Sequence, residues 1–196
     1  MSNKKAIFSW CLYDWANSAF SLTVMAGFFP VFFKSYWCSG VEPTVSTARL
    51  GLANASAGLI VALLSPVLGA IADAGRAKKR LLGIFIIIGV VATGALFSIG
   101  QGQWAPALIV FVVASIGFNS ANLFYDSLLI DVTEKERMDW VSSMGYSFGY
   151  LGCGLLFLLN VFMVQKPALF GLEGVADAVK TSFLMASLWL MVFSVP

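Results

Sequence analysis

The sequence predicts an all-α, polytopic membrane protein, and three observations carry this prediction. Of the 196 residues, 59% are hydrophobic and only 11% are charged, whereas soluble domains carry about 25% charged residues. The mean hydropathy is +0.87. The apolar residues also form six long runs, each near the ~20 residues that a bilayer span requires. We therefore expect a bundle of six transmembrane helices.

The six runs give the predicted helices in chain order, at roughly 8–33, 50–72, 81–100, 105–130, 141–163 and 180–196. The first loop carries Glu42 and Pro43, the second is short and basic, and the fourth is densely charged. The last run offers only about 16 residues, fewer than a span requires. We therefore expect the chain to be the front part of a longer protein; the alternative is a sixth helix that ends early.

Basic residues set the expected orientation, because cytoplasmic loops of membrane proteins carry an excess of Lys and Arg. With the N-terminus and the C-terminus in the cytoplasm, eight basic residues lie inside: Lys4, Lys5, Arg76, Lys78, Lys79, Arg80, Lys135 and Arg137. Four then lie outside: Lys34, Arg49, Lys166 and Lys180. The cluster from Arg76 to Arg80 is the strongest single indication. The first run is also too long to be the apolar core of a cleaved signal peptide.

Composition argues against several classes of function. The chain has no histidine, which removes the commonest metal ligand and the commonest general base. Cys11, Cys38 and Cys153 lie far apart, and their spacing indicates neither a zinc site nor a disulfide framework. The net charge of +2 gives no sign of nucleic-acid binding. We expect no metal, no cofactor and no enzymatic activity.

Polar side chains form one stripe on the first predicted helix and another on the fourth. At about 100° per residue, positions i, i+3 and i+7 share one helical face. The two stripes comprise Asp14, Asn17 and Ser21, and Asn119, Asn122 and Asp126. Because one stripe lies in the first span and the other in the fourth, and the acid of each follows a tyrosine, the first three and last three helices read as two equivalent three-helix repeats. Transporters place substrate and ion sites where such repeats meet.

The two acids differ from the other members of the stripes. Asn17, Ser21 and Asn122 are adequately explained as hydrogen-bonding contacts between helices. A carboxylate within a span is costly, so Asp14 and Asp126 indicate a functional site, and either could carry a proton. At 1.5 Å per residue, Asp14 lies about 9 Å and Asp126 about 6 Å from the cytoplasmic ends of their spans. This depth favours an inner gate or a proton port over a central substrate site.

Glycine is the other recurring residue of the predicted helices. Gly145, Gly149, Gly152 and Gly154 crowd the first half of the fifth span. Small residues let membrane helices pack closely, which is the interpretation we favour here. The second span carries a similar set, Gly58, Ser65, Pro66 and Gly69, with Pro66 placed to bend the helix.

Three segments resemble one superfamily. The run Gly69-Ala-Ile-Ala-Asp73-Ala-Gly75-Arg76-Ala-Lys78-Lys79-Arg80 resembles the loop between helices two and three of major facilitator superfamily transporters. The segments from Tyr13 to Phe20 and from Gly145 to Gly154 are similar to one branch of it. This is the bacterial "unknown major facilitator" family, related to the fungal autophagy-linked vacuolar amino-acid effluxers.

The resemblance implies the N-terminal six-helix half of a twelve-helix transporter in a cell membrane, with the bacterial inner membrane expected. Helices one and four would line the central cavity. The loop residues would latch the two halves together on the cytoplasmic side: Gly69, Asp73, Gly75, Arg76, Lys78, Lys79 and Arg80. Ala74 stands where the superfamily usually has Arg, and the fourth span lacks a buried Arg, so proton coupling does not transfer directly.

The expected function is secondary active transport of a small polar solute, for which amino acids are candidates, by alternating access. The expected partners are the solute, a coupling proton or ion, the bilayer and a C-terminal six-helix half. One alternative is a non-transporting scaffold, or a half-transporter that needs a partner half. A remote alternative is an intramembrane aspartyl protease, since two Tyr-Asp pairs lie in separate spans. Such proteases carry Gly-x-Gly before the second acid, where this chain has Leu123-Phe124-Tyr125.

Overall fold

Six long helices make up the fold. The computed structural model describes the backbone of residues 2–75 and 77–194 and the side chains of residues 4–71 and 77–194. The helices are Ser2 to Trp37 (α1), Pro43–Gly75 (α2), Lys78–Ala95 (α3), Trp104–Val132 (α4), Met138–Gln165 (α5) and Val175–Phe193 (α6). Short 3₁₀ turns at Leu96–Ser98, Lys135–Arg137 and Pro167–Phe170 flank them. The described part of the chain contains six helices long and apolar enough to span a membrane and no strand, which confirms the predicted fold class.

The first helix changes its winding along its length. Ser2–Ala19 and Phe29–Phe32 are α-helical, whereas Phe20–Phe28 and Phe33–Trp37 have the wider π-helical turn. The Phe29 N–H accordingly donates to the carbonyl of Val24, five residues back. Pro30 has no N–H to donate, so a regular α-helical ladder would be interrupted there in any case. Hydrophobic periodicity in the sequence gives no sign of this change.

The helices extend beyond the apolar runs that predict them. Helix α2 begins at Pro43 rather than near 50, because proline suits the first position of a helix. Helix α6 begins at Val175 rather than at 180. Asp177 lies in its first turn, where the negative charge of a carboxylate interacts favourably with the helix dipole. It therefore has 19 residues, about the length of a full span, and the short final span expected from hydropathy is not observed.

The packing of the helices follows the predicted three-helix repeat. Helix α1 packs on α5 and α6, and α4 packs correspondingly on α2 and α3, while α3 and α6 pack on each other. The contacts of α1 with α5 and α6 thus correspond to those of α4 with α2 and α3, and the contact between α3 and α6 is common to both units. The six helices thus behave as two equivalent three-helix units.

Aromatic side chains fill the core at the end of the bundle where α1 ends. Phe29 and Trp37 of α1 are fully buried there with Phe111 of α4 and Phe183 of α6. The rings of Phe29 and Phe111 stack with their centroids 3.9 Å apart. Close contacts among these four rings fix α1 against α4 and α6, since van der Waals packing drives the association of helices within a bilayer. The opposite end of the bundle is less completely filled and contains the cavities described below.

Candidate functional site

A cavity of about 480 Å³ lies between α1, α4 and α5, in the half of the bundle where α1 begins. Its wall includes Trp10, Asp14, Asn17, Ser18 and Ser21 of α1, Phe118, Asn122, Tyr125, Asp126 and Leu129 of α4, and Ser142 and Tyr146 of α5. Five of the six predicted stripe residues are therefore brought to one cavity. None of the lining residues is basic.

Both acids lie on this wall. Asp14 is half-buried and accepts a hydrogen bond from the Ser18 hydroxyl at 3.3 Å, and Asp126 is exposed to the cavity. Within the side chains that the structure describes, neither carboxylate forms an ion pair; the one salt bridge joins Lys78 to Asp131. The cavity therefore presents uncompensated carboxylates, which favour binding of a cation, a proton or an ammonium group.

A pair of amides links α1 to α4 across the cavity wall. Asn17 Nδ2 donates to Asn122 Oδ1 at 2.6 Å, and the Tyr13 hydroxyl donates to Asn17 Oδ1 at 3.4 Å. Asn17 is only 5% exposed, so this hydrogen bond satisfies an amide that would otherwise be buried without a partner. The interhelical contact predicted for Asn17 and Asn122 is thus observed between the two of them.

Asn119 does not join the other stripe residues. Its Nδ2 donates to the carbonyl of Ser115, one turn back on its own helix, at 2.8 Å. At this depth Phe118 forms the cavity wall instead, and its ring packs against Phe20 with the centroids 4.9 Å apart. Asn119 is partly buried and does not line the cavity.

Aromatic residues form much of the wall, and none of them belongs to the polar stripes predicted from the sequence. The rings of Trp10 and Tyr125 stack at 4.3 Å between centroids, and Trp10 Nε1 donates to the Tyr125 carbonyl at 3.1 Å. The Tyr125 hydroxyl is buried and has no hydrogen-bond partner among the residues that the structure describes. A usable signal was present, since Trp10 lies one helical turn before Asp14 and Tyr125 directly precedes Asp126.

Glycines of α5 allow that helix to close the cavity against α1. A Cβ atom at Gly149 would lie 2.6 Å from Ser18 Oγ and 3.0 Å from Asp14 Oδ2, and one at Gly145 would overlap the ring of Trp10. A Cβ at Gly152 would meet Trp15 at 2.6 Å. Gly154 has no atom within 4 Å of this position, so three of the four glycines serve the predicted close packing.

The predicted latch is only partly within the described chain. The side chain of Asp73 and the whole of Arg76 lie outside the described residues, and Gly75 is described only as the last backbone position of α2. Lys78 Nζ contacts Asp131 Oδ2 at 3.1 Å and donates to the Ser127 carbonyl at 3.3 Å, which ties the start of α3 to the end of α4. Lys79 and Arg80 are exposed. Gly69 lies in α2, and a Cβ added there would have no described atom within 4 Å.

Metal and disulfide chemistry have no counterpart among the described residues. No three His, Cys, Asp or Glu side chains there are grouped so as to hold a metal ion. Cys11, Cys38 and Cys153 are buried and unpaired. The chemistry that the arrangement offers is therefore binding by carboxylates, amides, hydroxyls and aromatic faces.

Comparison with known proteins places the chain among transporters. A family model described as "Vacuole effluxer Atg22 like" matches residues 38–135. An uncharacterised MFS-type transporter of Bacillus subtilis strain 168, YxiO, is 40% identical over 190 residues, which are 96% of this chain and 44% of that protein. The lactose permease of Lactobacillus helveticus is 30% identical over 175 residues, or 80% of this chain and 27% of the permease.

An uncharacterised protein of Aquifex aeolicus strain VF5 is also similar, at 23% identity over 166 residues, 85% of this chain and 41% of that protein. The chain thus spans less than half the length of each of these relatives. No solved structure gives a significant match. Six apolar helices and relatives named as transporters together identify a multi-pass membrane protein.

Proposed function

The chain belongs to the Atg22-like vacuole effluxer family of the major facilitator superfamily, and we propose that it is the N-terminal half of a secondary active transporter. The proposed substrate is a small polar solute, with amino acids as the first candidates. A C-terminal six-helix half would complete the protein. The proposed location is the bacterial inner membrane, with both ends of this half in the cytoplasm, as the distribution of Lys and Arg favours.

One observation carries the proposal: Asp14 and Asp126 line a single cavity inside the bundle, together with the bonded amides of Asn17 and Asn122. Ionisable groups at membrane depth are costly, and in membrane proteins they mark solute or ion pathways. The cavity has walls from α1, α4 and α5, and we propose that the second half supplies the remaining wall. Rocking of the two halves about this cavity would then expose it to each side in turn.

The six stripe residues have distinct proposed roles. Asp14 and Asp126 would bind the ammonium group of the solute, or a coupling proton or ion. Asn17 and Asn122 would hold α1 and α4 at a fixed spacing, and Ser21 would contact the solute from the deeper end of the cavity. Asn119, which bonds to its own helix, would support the local structure of α4 and would not contact the solute. The basic residues after α2, with Asp73, would form the cytoplasmic latch between the halves.

Transport by the full-length protein tests the proposal. We expect the purified protein in vesicles to accumulate or release a labelled amino acid, and Asp14→Asn to reduce the initial rate at least 10-fold. This loss corresponds to about 1.4 kcal/mol or more of lost binding or coupling. Initial rates should be measured with a mixture of labelled amino acids and, as a second set, labelled nucleosides.

Asp139→Asn is the matched control, because Asp139 is an exposed acid at the start of α5, outside the cavity. It should transport at the wild-type rate. Equal transport by Asp14→Asn and Asp139→Asn would refute the role of the cavity acid. Transport of nucleosides but not amino acids would refute the proposed substrate while leaving the transporter itself in place.

A further inference from the structure

A second cavity, of about 370 Å³, lies inside the bundle at the end where α1 begins. Its walls come from α1, α3, α4 and the end of α6, whereas the candidate substrate cavity is bounded by α1, α4 and α5. Trp10 and Tyr125 line both cavities, so their stacked rings form the partition between them. The proposed transport function assigns no solute to this second space, although Lys79, which lines it, also belongs to the proposed latch.

The wall of the second cavity changes from charged to apolar with depth. Lys79, Asp131 and Ser194 line it near the helix ends, and Ile86 and Tyr13 line it further in. Ile86 follows Lys79 by seven positions along α3, which corresponds to a depth of about 10 Å. A cavity of this kind suits a molecule with a charged head and an apolar tail.

The charges at the rim favour an anion. Asp131 is already paired with Lys78 at 3.1 Å, so its charge is compensated. Lys79 lines the cavity, is exposed, and forms no ion pair within the described side chains. Its positive charge is therefore available to a ligand.

The start of α3 adds to this preference. The helix begins at Lys78, and the preceding Ala77 provides no side-chain cap for the first N–H groups. The first turn also contains no acidic residue. With no side-chain cap among the described residues, the first N–H groups and the positive end of the helix dipole form a favourable environment for phosphate, and Lys79 lies in this first turn.

We infer that this second cavity binds a phosphate ester that carries an apolar tail, with the phosphate at Lys79 and the tail against Leu82, Ile86 and Leu128. Basic pockets between membrane helices on the cytoplasmic side are known to hold anionic lipid head groups. Two sources share this chemistry: an anionic phospholipid of the inner leaflet and a soluble alkyl phosphate from the cytoplasm. Binding at this cavity would bias the packing of α1, α3 and α4 without occupying the substrate cavity.

Two substitutions probe the site in different ways. Lys79→Gln removes the charge at the rim. Gly83→Leu fills the cavity, because Gly83 lines it and a Cβ there would have no atom within 4 Å. The matched controls are Lys135→Gln, an exposed lysine outside the cavity, and Gly154→Leu, a glycine of α5 with equally open surroundings.

The measurement is the thermal unfolding midpoint of the purified full-length protein with two pairs of probes. One pair compares bilayer nanodiscs containing phosphatidylglycerol with discs of phosphatidylcholine alone. The other pair compares hexyl phosphate with hexanol in detergent. A ligand that binds only the folded state raises the midpoint. We expect a rise of about 3 °C with at least one phosphate-bearing probe, absent from its neutral counterpart.

Lys79→Gln and Gly83→Leu should lose this rise, while Lys135→Gln and Gly154→Leu should keep it. A rise confined to phosphatidylglycerol assigns the site to a lipid, and one confined to hexyl phosphate assigns it to a soluble ester. No rise with either probe, or an undiminished rise in Lys79→Gln or Gly83→Leu, would overturn the inference. These outcomes are independent of amino-acid transport, so the two proposals can fail separately.

Discussion

At the scale of single residues, the bond between Asn17 and Asn122 shows how the polar stripes act. Each stripe was recognisable along its own helix, but the 2.6 Å hydrogen bond between the two amides defines how the stripes meet. The carboxylates of Asp14 and Asp126 take no part in this bond and form no ion pair among the described side chains. The amides thus contribute to the interface between helices, and the acids remain available to a ligand.

A double-mutant cycle on Asn17→Ala and Asn122→Ala tests this division of roles. We expect a coupling of about 0.6 kcal/mol, and at most about 1.7 kcal/mol, in the free energy of unfolding, as for other hydrogen bonds between membrane helices. Asn17→Ala with Asn119→Ala is the matched cycle, since Asn119 bonds to its own helix. A coupling of equal size in the two cycles would contradict the observed bond.

At the scale of helices, the contact of α1 with α5 depends on glycine residues of α5, which have no side chain to hold the helices apart. Gly149 lies directly against Ser18 and Asp14, and Gly145 against Trp10. Close packing here both stabilises the pair of helices and brings Ser142 and Tyr146 to the cavity wall. The position of α5 is therefore linked to the shape of the candidate site.

Gly149→Ala should lower the free energy of unfolding by about 1–3 kcal/mol, since the added methyl group overpacks the contact with Ser18 and Asp14. This loss opposes the gain of up to about 1 kcal/mol that alanine usually brings to a helix. Gly154→Ala has no such contact and should be neutral or stabilising. Unfolding of the purified protein measures both variants, and a stabilised Gly149→Ala protein would show that α5 packs differently.

At the scale of the whole molecule, the number of spans determines on which side of the membrane each end of this bundle lies. An even number of spans returns the end of α6 to the side on which α1 begins. Both described cavities lie toward that end of the bundle. The orientation of the bundle therefore decides which compartment they face, and the positive-inside rule favours the cytoplasm.

Labelling of single cysteines tests the orientation. In a full-length protein whose native cysteines are replaced by serine, we expect Lys166→Cys to react with an impermeant maleimide on intact cells. Lys135→Cys should react only after the cells are made permeable. Both positions are exposed, one in the loop after α5 and the other between α4 and α5, so accessibility within the protein is matched. The reverse pattern would place the N-terminus outside.

The sequence by itself determined the number of spans, the two polar stripes and the superfamily, because hydropathy, helical spacing and short motifs are local properties of the chain. Hydropathy did not predict the first turns of α2 and α6, because these helices begin at Pro43 and Val175, before the apolar runs start. The π-helical turn of Phe20–Phe28 likewise has no periodic signal.

Only the tertiary structure decided which stripe residues share a cavity. Asp14, Asn17, Ser21, Asn122 and Asp126 meet there because α1 contacts α4 through the Asn17–Asn122 hydrogen bond and the stacked rings of Trp10 and Tyr125. Asn119 bonds to its own helix and does not line the cavity. The same packing makes the stacked rings of Trp10 and Tyr125, neither of which belongs to a polar stripe, the partition between two cavities. Contacts between residues more than 100 positions apart depend on side-chain volumes across helices, and no pattern along one helix encodes them.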